Sequence, residues 1–149
     1  MYLIRHIMEA DFVSIAQMEI EISKISFQEE AITDIEFHKN KIADAFRKDN
    51  KGMLVLVEDN KVLGWLWMDK KSNYLTKEIY VNFRSFYIDT SIRGSEYADR
   101  LMIEGVDYVK SIKAKHITGK VHVDNLPMRA LYKNHGFKPT HITMEIDLE

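Results

Sequence analysis

Apolar residues along this chain change their period several times, and each change marks an element. "YLIRHI" near the start is short and apolar enough for a strand. From Asp11 the period becomes helical, with Phe12, Ile15, Ala16, Met18, Glu19 and Ile22 on one face. A second helix is expected near Thr33 and Asp34, its apolar side formed by Ile35, Phe37, Ile42, Ala45 and Phe46. Thr33 and Glu36 stand at capping-box spacing at its start. "MLVLVEDNKVLGWLWMD" offers two strand-like runs around Asp59-Asn60, residue types that accept the positive φ of a tight hairpin. A long strand rich in Ile, Tyr, Val and Phe should run from about Lys77 to Asp89.

Past Gly94, the residues Ala98, Leu101, Met102, Gly105, Val106 and Val109 recur at helical spacing. "HITGKVHV" is strand-like, with Ile117, Gly119, Val121 and Val123 on one face. A helix from about Leu126 to His135 should stop at Gly136, and "HITMEIDL" alternates as a closing strand. The predicted order is β-α-α-β-β-β-α-β-α-β. A strand–helix–strand unit from Phe86 to Val123 implies a parallel pair, while the hairpin before it implies antiparallel neighbours. The fold class is therefore α/β, a mixed sheet flanked by helices, with the closing strand a candidate edge for a homodimer.

Composition narrows the classes. A chain of 149 residues, 46% hydrophobic and 30% charged, suits one globular domain over residues 1–149. A net charge of −2 supplies no electrostatic reason to expect nucleic acid or an anionic membrane as partner. Charges interrupt every apolar run, so no segment is long enough to span a bilayer. Arg5, Glu9 and Asp11 come too early for the apolar core of a signal peptide. The lack of cysteine excludes disulfides, thiolate metal sites and a cysteine nucleophile, and it suits the cytoplasm. The six histidines show no His-x-x-x-His pairing, so no metal is expected.

Two stretches carry candidate chemistry. In "YIDTSIRGSEYADRL" a strand turns into a helix through Arg93 and Gly94, which presents unpaired N–H groups at the positive end of a helix dipole. Arg93 adds charge and Gly94 permits close approach to the main chain. The same residues also suit a helix start capped by Ser95. In "VHVDNLPMRALYKNHGF", Asn125 and Tyr132 lie two helical turns apart and share a face. An Asn amide can bind an amide-bearing ligand and a Tyr hydroxyl can donate a proton. Asn125 is equally a good helix cap, and Tyr132 equally a core residue.

Together these motifs resemble those of the GNAT acetyltransferase superfamily: strand, Arg-Gly turn, helix, strand, Asn, then Leu-Tyr-x-x-x-Gly-Phe. With Asp11 and the "VLGWLWMD" hairpin, the resemblance covers nearly the whole chain. It implies a sheet splayed at its centre and acetyl-CoA as cosubstrate, with no metal. Phe86 and Ile88 would offer backbone groups to the pantetheine arm between splayed strands. Arg93, Gly94, Ser95, Tyr97 and Ala98 would surround the pyrophosphate, mainly through N–H groups. Asn125 would contact pantetheine and Tyr132 would protonate the departing thiolate. The implied reaction is direct acetyl transfer to a primary amine of a small molecule or peptide.

The loop departs from the family's Arg-Gly-x-Gly-x-Gly/Ala, because Glu96 replaces the middle glycine. A carboxylate there opposes a pyrophosphate unless it points to water or pairs with Arg93. The alternative reading is a GNAT-like binding domain whose CoA site Glu96 has compromised, and a weaker one is an unrelated phosphate-binding module. Met128, where the family often has alanine, is a milder departure. For the general base the candidates are Glu78, Tyr80, Asp89 and His122, none singled out. Trp65 and Trp67 share a strand face and are expected to pack against a helix. "EISKISFQEEAITD" is acidic at Glu29, Glu30 and Asp34 and is expected to be a solvated loop, although it would favour a cationic amine if it overhung the acceptor mouth.

Overall fold

A computed structural model describes residues 1–149. Strands β1 (Tyr2–His6), β2 (Met53–Glu58), β3 (Lys61–Ser72), β4 (Ile79–Ile88) and β5 (Ile117–Gly119) form one sheet in the order β1-β2-β3-β4-β5. Helices α1 (Phe12–Phe27) and α2 (Ile35–Lys48) join β1 to β2. Helix α3 (Glu96–Ser111) joins β4 to β5, and α4 (Leu126–Asn134) follows β5. The sheet is mixed: β1 to β4 pair antiparallel, and β4 pairs with β5 in parallel. The β2–β3 hairpin turns on Asp59 and Asn60, with φ of 51° and 64°, as their residue types suggest.

Each face of the sheet carries its own core. Leu66, Phe83, Phe86, Leu101, Met102 and Leu131 pack on the α3–α4 side. Ile15, Ala16, Ile42, Val55, Trp65 and Trp67 pack on the α1–α2 side, so the tryptophans do pack under helices. β4 carries a bulge: Trp67 faces Ser85 and Met68 faces Phe83, leaving Arg84 as an extra residue. The bulge resets the alternation, so Phe83 and Phe86 share the α3–α4 face.

Helix starts follow local chemistry. Asp34, not Thr33, caps α2, accepting from the Glu36 N–H at 2.9 Å. Asp11 makes no side-chain cap for α1 because its carboxylate is used elsewhere. It takes two bonds from the Arg5 guanidinium, at 2.8 and 3.0 Å, and one from the Met8 N–H at 2.8 Å. Burial alone would raise the Asp11 carboxyl, but the Arg5 and Met8 bonds outweigh it and hold it below its ordinary value. The depressed carboxyl contributes stability that is present above the ordinary carboxylate range and lost as pH falls through the folded value. Arg5→Ala should cost about 1–3 kcal/mol at neutral pH, since it strands a buried carboxylate. The difference from the parent should shrink in acid, read from urea midpoints across pH.

Two expectations about the C-terminal third need correction. The "HITGKVHV" strand pairs only over Ile117–Gly119, because β4 and β5 diverge past Phe83 and Gly119. "HITMEIDL" makes no strand pairing within this chain. Its alternate residues Ile142, Met144, Ile146 and Leu148 are 81–87% exposed. Alternation specifies a strand with one apolar face, but a strand needs a neighbour to bond with.

Candidate active site

The divergence of β4 from β5 creates the site. The Asp89 N–H donates to the Leu63 carbonyl at 2.8 Å, which fixes the alternation along the antiparallel β3–β4 ladder. On that alternation the backbone groups of Phe86 and Ile88 face away from β3, toward the side that β5 has left. A groove of about 680 Å³ runs through the gap. Phe86, Ile88, Ala98, Leu131 and Tyr132 line it from one side of the sheet, and Glu19, Ser23, His38, Ser85 and Tyr87 from the other.

The turn from β4 to α3 supplies the polar end of the groove. Ser95 caps α3, accepting from the Tyr97 N–H at 3.2 Å, so the helix-start reading of the loop holds. That cap leaves the N–H groups of Gly94, Glu96 and Ala98 without a protein partner at the positive end of the helix dipole. Gly94 has φ +76°, and a built Cβ there meets no atom within 4 Å, so the backbone is open to a ligand. Such an array suits a phosphate, and the structure therefore fits a pyrophosphate-bearing cosubstrate.

Other residues of the loop have specific placements. Arg93 Nε donates to the Ile88 carbonyl at 2.9 Å and its guanidinium lies 5.5 Å from the Tyr87 ring centre, so it braces the strand end. Tyr97 turns its ring toward Tyr2, with ring centres 4.4 Å apart, and does not line the groove, whereas Arg93, Gly94, Ser95 and Ala98 do. The Glu96 side chain is exposed, forms no ion pair with Arg93 and lies outside the groove lining. Met128 lines the groove beside Asn125.

Asn125 and Tyr132 do share the α4 face that lines the groove. Asn125 Oδ1 caps the helix through the Met128 N–H at 3.3 Å, which leaves its amide N–H groups for a ligand. Tyr132 is 7% exposed and is enclosed by Phe83, Phe86 and Phe137, whose ring centres lie 6.4, 6.1 and 4.8 Å away. Its hydroxyl abuts Gly119 so closely that a Cβ at that position would lie 2.7 Å from the oxygen. Burial pushes the phenol well above the ordinary tyrosine range, which favours the neutral, proton-bearing form near neutral pH.

The sequence-based candidates for the base fare differently. Glu78 is exposed and Tyr80 stacks on His116 with ring centres 4.9 Å apart; neither lines the groove. Asp89 accepts from the Ser91 hydroxyl and N–H, the main cause holding its carboxyl below the ordinary value, and it too lies outside. His122 lines the groove, but its Nδ1 accepts the Asp124 N–H at 3.1 Å, so in the neutral ring Nε2 holds the proton. The residue that sequence reasoning missed is Glu19. It is 6% exposed on α1, accepts a bond from Ser85 Oγ at 3.1 Å, and lines the groove. Burial, the dominant cause, raises its carboxyl above the ordinary glutamate value despite Ser85, Lys41, His38 and Arg84 nearby.

Comparison with known proteins decides the family. The sequence model of the Acetyltransferase (GNAT) family matches residues 12–137. The chain belongs to the GNAT family. Among solved structures, this GNAT chain is similar to a putative acetyl transferase from Pyrococcus furiosus, with a TM-score of 0.76 and 21% identity over 99% of this chain and 100% of that one. It is also similar to glucosamine-6-phosphate N-acetyltransferase from Arabidopsis thaliana, with a TM-score of 0.75 and 14% identity over 100% and 99% of the two chains. A transcriptional regulator from Bacillus halodurans C-125 aligns with a TM-score of 0.79 and 16% identity over 99% and 100%. At these identities the structures share the GNAT fold, a mixed sheet flanked by helices. No curated protein sequence matches the chain. No helix is long and apolar enough to cross a membrane, and no cluster of His, Asp or Glu is arranged to hold a metal ion.

Proposed function

We propose that this chain is a single-domain N-acetyltransferase of the cytoplasm, transferring acetyl from acetyl-CoA directly to a primary amine. The observation that carries the reading is the groove that joins the orphan N–H groups of Gly94 and Ala98 to a buried tyrosine. When bound, acetyl-CoA supplies an activated acyl thioester. Gly94, Glu96 and Ala98 would hold its pyrophosphate through N–H groups. The open edge of β4 at Phe86, and the Asn125 amide, would align the pantetheine. The Ile88 carbonyl already accepts one bond from Arg93, so the free N–H is the main group Ile88 has to contribute. Tyr132 would give its proton to the departing thiolate.

Glu96 weighs little against this reading. Its carboxylate points to water, where screening keeps an unpaired charge within about 1 kcal/mol of neutral. Glu96→Gln should tighten acetyl-CoA binding by no more than about five-fold at low salt, and the gain should vanish at high salt. Calorimetric titration measures both. Saturable binding of acetyl-CoA to the parent protein is required; its absence would leave the binding-domain reading.

The exposed apolar face of Ile142, Met144, Ile146 and Leu148 supports a homodimer as the working form. β5 is an edge strand, so every copy offers an unpaired ladder to the "HITMEIDL" segment of another. Reciprocal exchange of that strand closes a two-fold dimer and buries both apolar faces.

A further inference from the structure

On the α1–α2 side the groove changes character. Ile22, Ile25, Phe27, Ile32 and Phe37 line it, and Phe27, Ile32 and Phe37 are 62, 46 and 46% exposed. They form an apolar mouth with solvent access. Glu29 and Glu30, in the acidic segment read from sequence as a solvated loop, are exposed and lie outside the lining. At the inner end stands Glu19. Its single protein partner is the neutral hydroxyl of Ser85, although an ionised carboxylate can accept about four bonds.

The cations nearby are committed elsewhere. Arg84 lies 3.9 Å over the Trp67 ring and 3.5 Å from Asp69, and Lys41 lies 5.9 Å over the same ring. Neither pairs with Glu19 within ion-pair distance. His38 gives its Nε2 proton to the Ile32 carbonyl at 2.8 Å, and its buried Nδ1 has no partner. Asp99, the other acid lining the groove, is held by His135 at 2.7 Å at the loop end. Glu19 is thus the one uncommitted acid on this side.

We infer that this half of the groove is the acceptor site, that it takes a primary amine on a compact alkyl or aryl body, and that Glu19 receives the ammonium and removes its proton. The inference rests on the acetyl-transfer reading. A polyamine would bring its second charge toward Lys41 and Arg84, which also line the groove, and an aminosugar would set hydroxyls against isoleucine and phenylalanine. Protons balance: one passes from the ammonium to Glu19, freeing the nitrogen lone pair. The C–N bond then forms and the C–S bond breaks. Tyr132 protonates the sulfur and is restored by the second nitrogen proton through solvent, while Glu19 releases the first to bulk water.

The test is CoA release from the full chain with phenethylamine, hexylamine, spermidine, glucosamine 6-phosphate and a lysine peptide. The two apolar amines should exceed the others at least ten-fold in kcat/KM. Glu19→Gln should lower that value by about 10²–10⁴-fold while acetyl-CoA affinity is kept. In the parent, kcat/KM should fall with acid through a limb above the ordinary glutamate range; in Glu19→Gln the profile should follow the free amine alone. Phe37→Ser should raise KM for the apolar amines and leave kcat unchanged. Preference for a polar amine, or Glu19→Gln keeping its rate and acid limb, would overturn the inference. Acetyl-CoA binding with no amine turned over would instead reject acetyl transfer to amines.

Discussion

Tyr132→Phe should lower kcat by about 10²–10⁴-fold while leaving the affinity for acetyl-CoA nearly unchanged. The substitution removes one oxygen that has no hydrogen-bond partner within the protein, so nothing else needs to rearrange. The ring stays packed among Phe83, Phe86 and Phe137, and thermal stability should hold. Steady-state kinetics with calorimetry on the same preparation separate the two effects. Because burial keeps the phenol protonated, its titration should add no alkaline limb near neutral pH. Gly119→Val should reproduce the loss of turnover from the other side, by pushing its side chain into the space of the hydroxyl. Normal turnover in Tyr132→Phe would remove the tyrosine as the acid.

The second large effect concerns assembly. Light scattering should show a dimer for the parent chain and a monomer once residues 141–149 are deleted. Four large apolar side chains change environment, each worth about 1.5–3 kcal/mol if fully buried. Reciprocal exchange doubles that number in the dimer, which is ample to hold two copies at micromolar concentration. Met144→Lys with Ile146→Lys should have the same outcome without shortening the chain, by placing charge on the exchanged face. A parent protein that stays monomeric at high concentration, with a segment readily cut by protease, would contradict strand exchange.

Much of the fold is legible in the sequence, and the gaps have physical causes. Periodicity locates α1 to α4 and the first four strands, since each buries one face against a core. The Asn125–Tyr132 spacing alone puts both residues on one face of α4, and that face lines the groove. Glu19 is hidden by the same logic, because it falls within the apolar stripe of α1 and a stripe does not say which member meets a gap in the sheet. Phe37 belongs to the apolar stripe of α2, yet it lies at the groove mouth while His38 is buried instead. Pattern marks "HITMEIDL" as a strand, but a strand's neighbour is not written in its own residues. The bond from Arg93 to the Ile88 carbonyl depends on a side-chain path across five residues, which composition does not reveal.

Mixing the protein with acetyl-CoA and phenethylamine, and following free CoA thiol and N-acetylated amine together, tests the central claim most directly. The two products should appear in equal amounts, at a rate that saturates in both substrates and that Tyr132→Phe depresses. Thiol release unaffected by the amine, or no acetylated product from any primary amine despite bound acetyl-CoA, would contradict it.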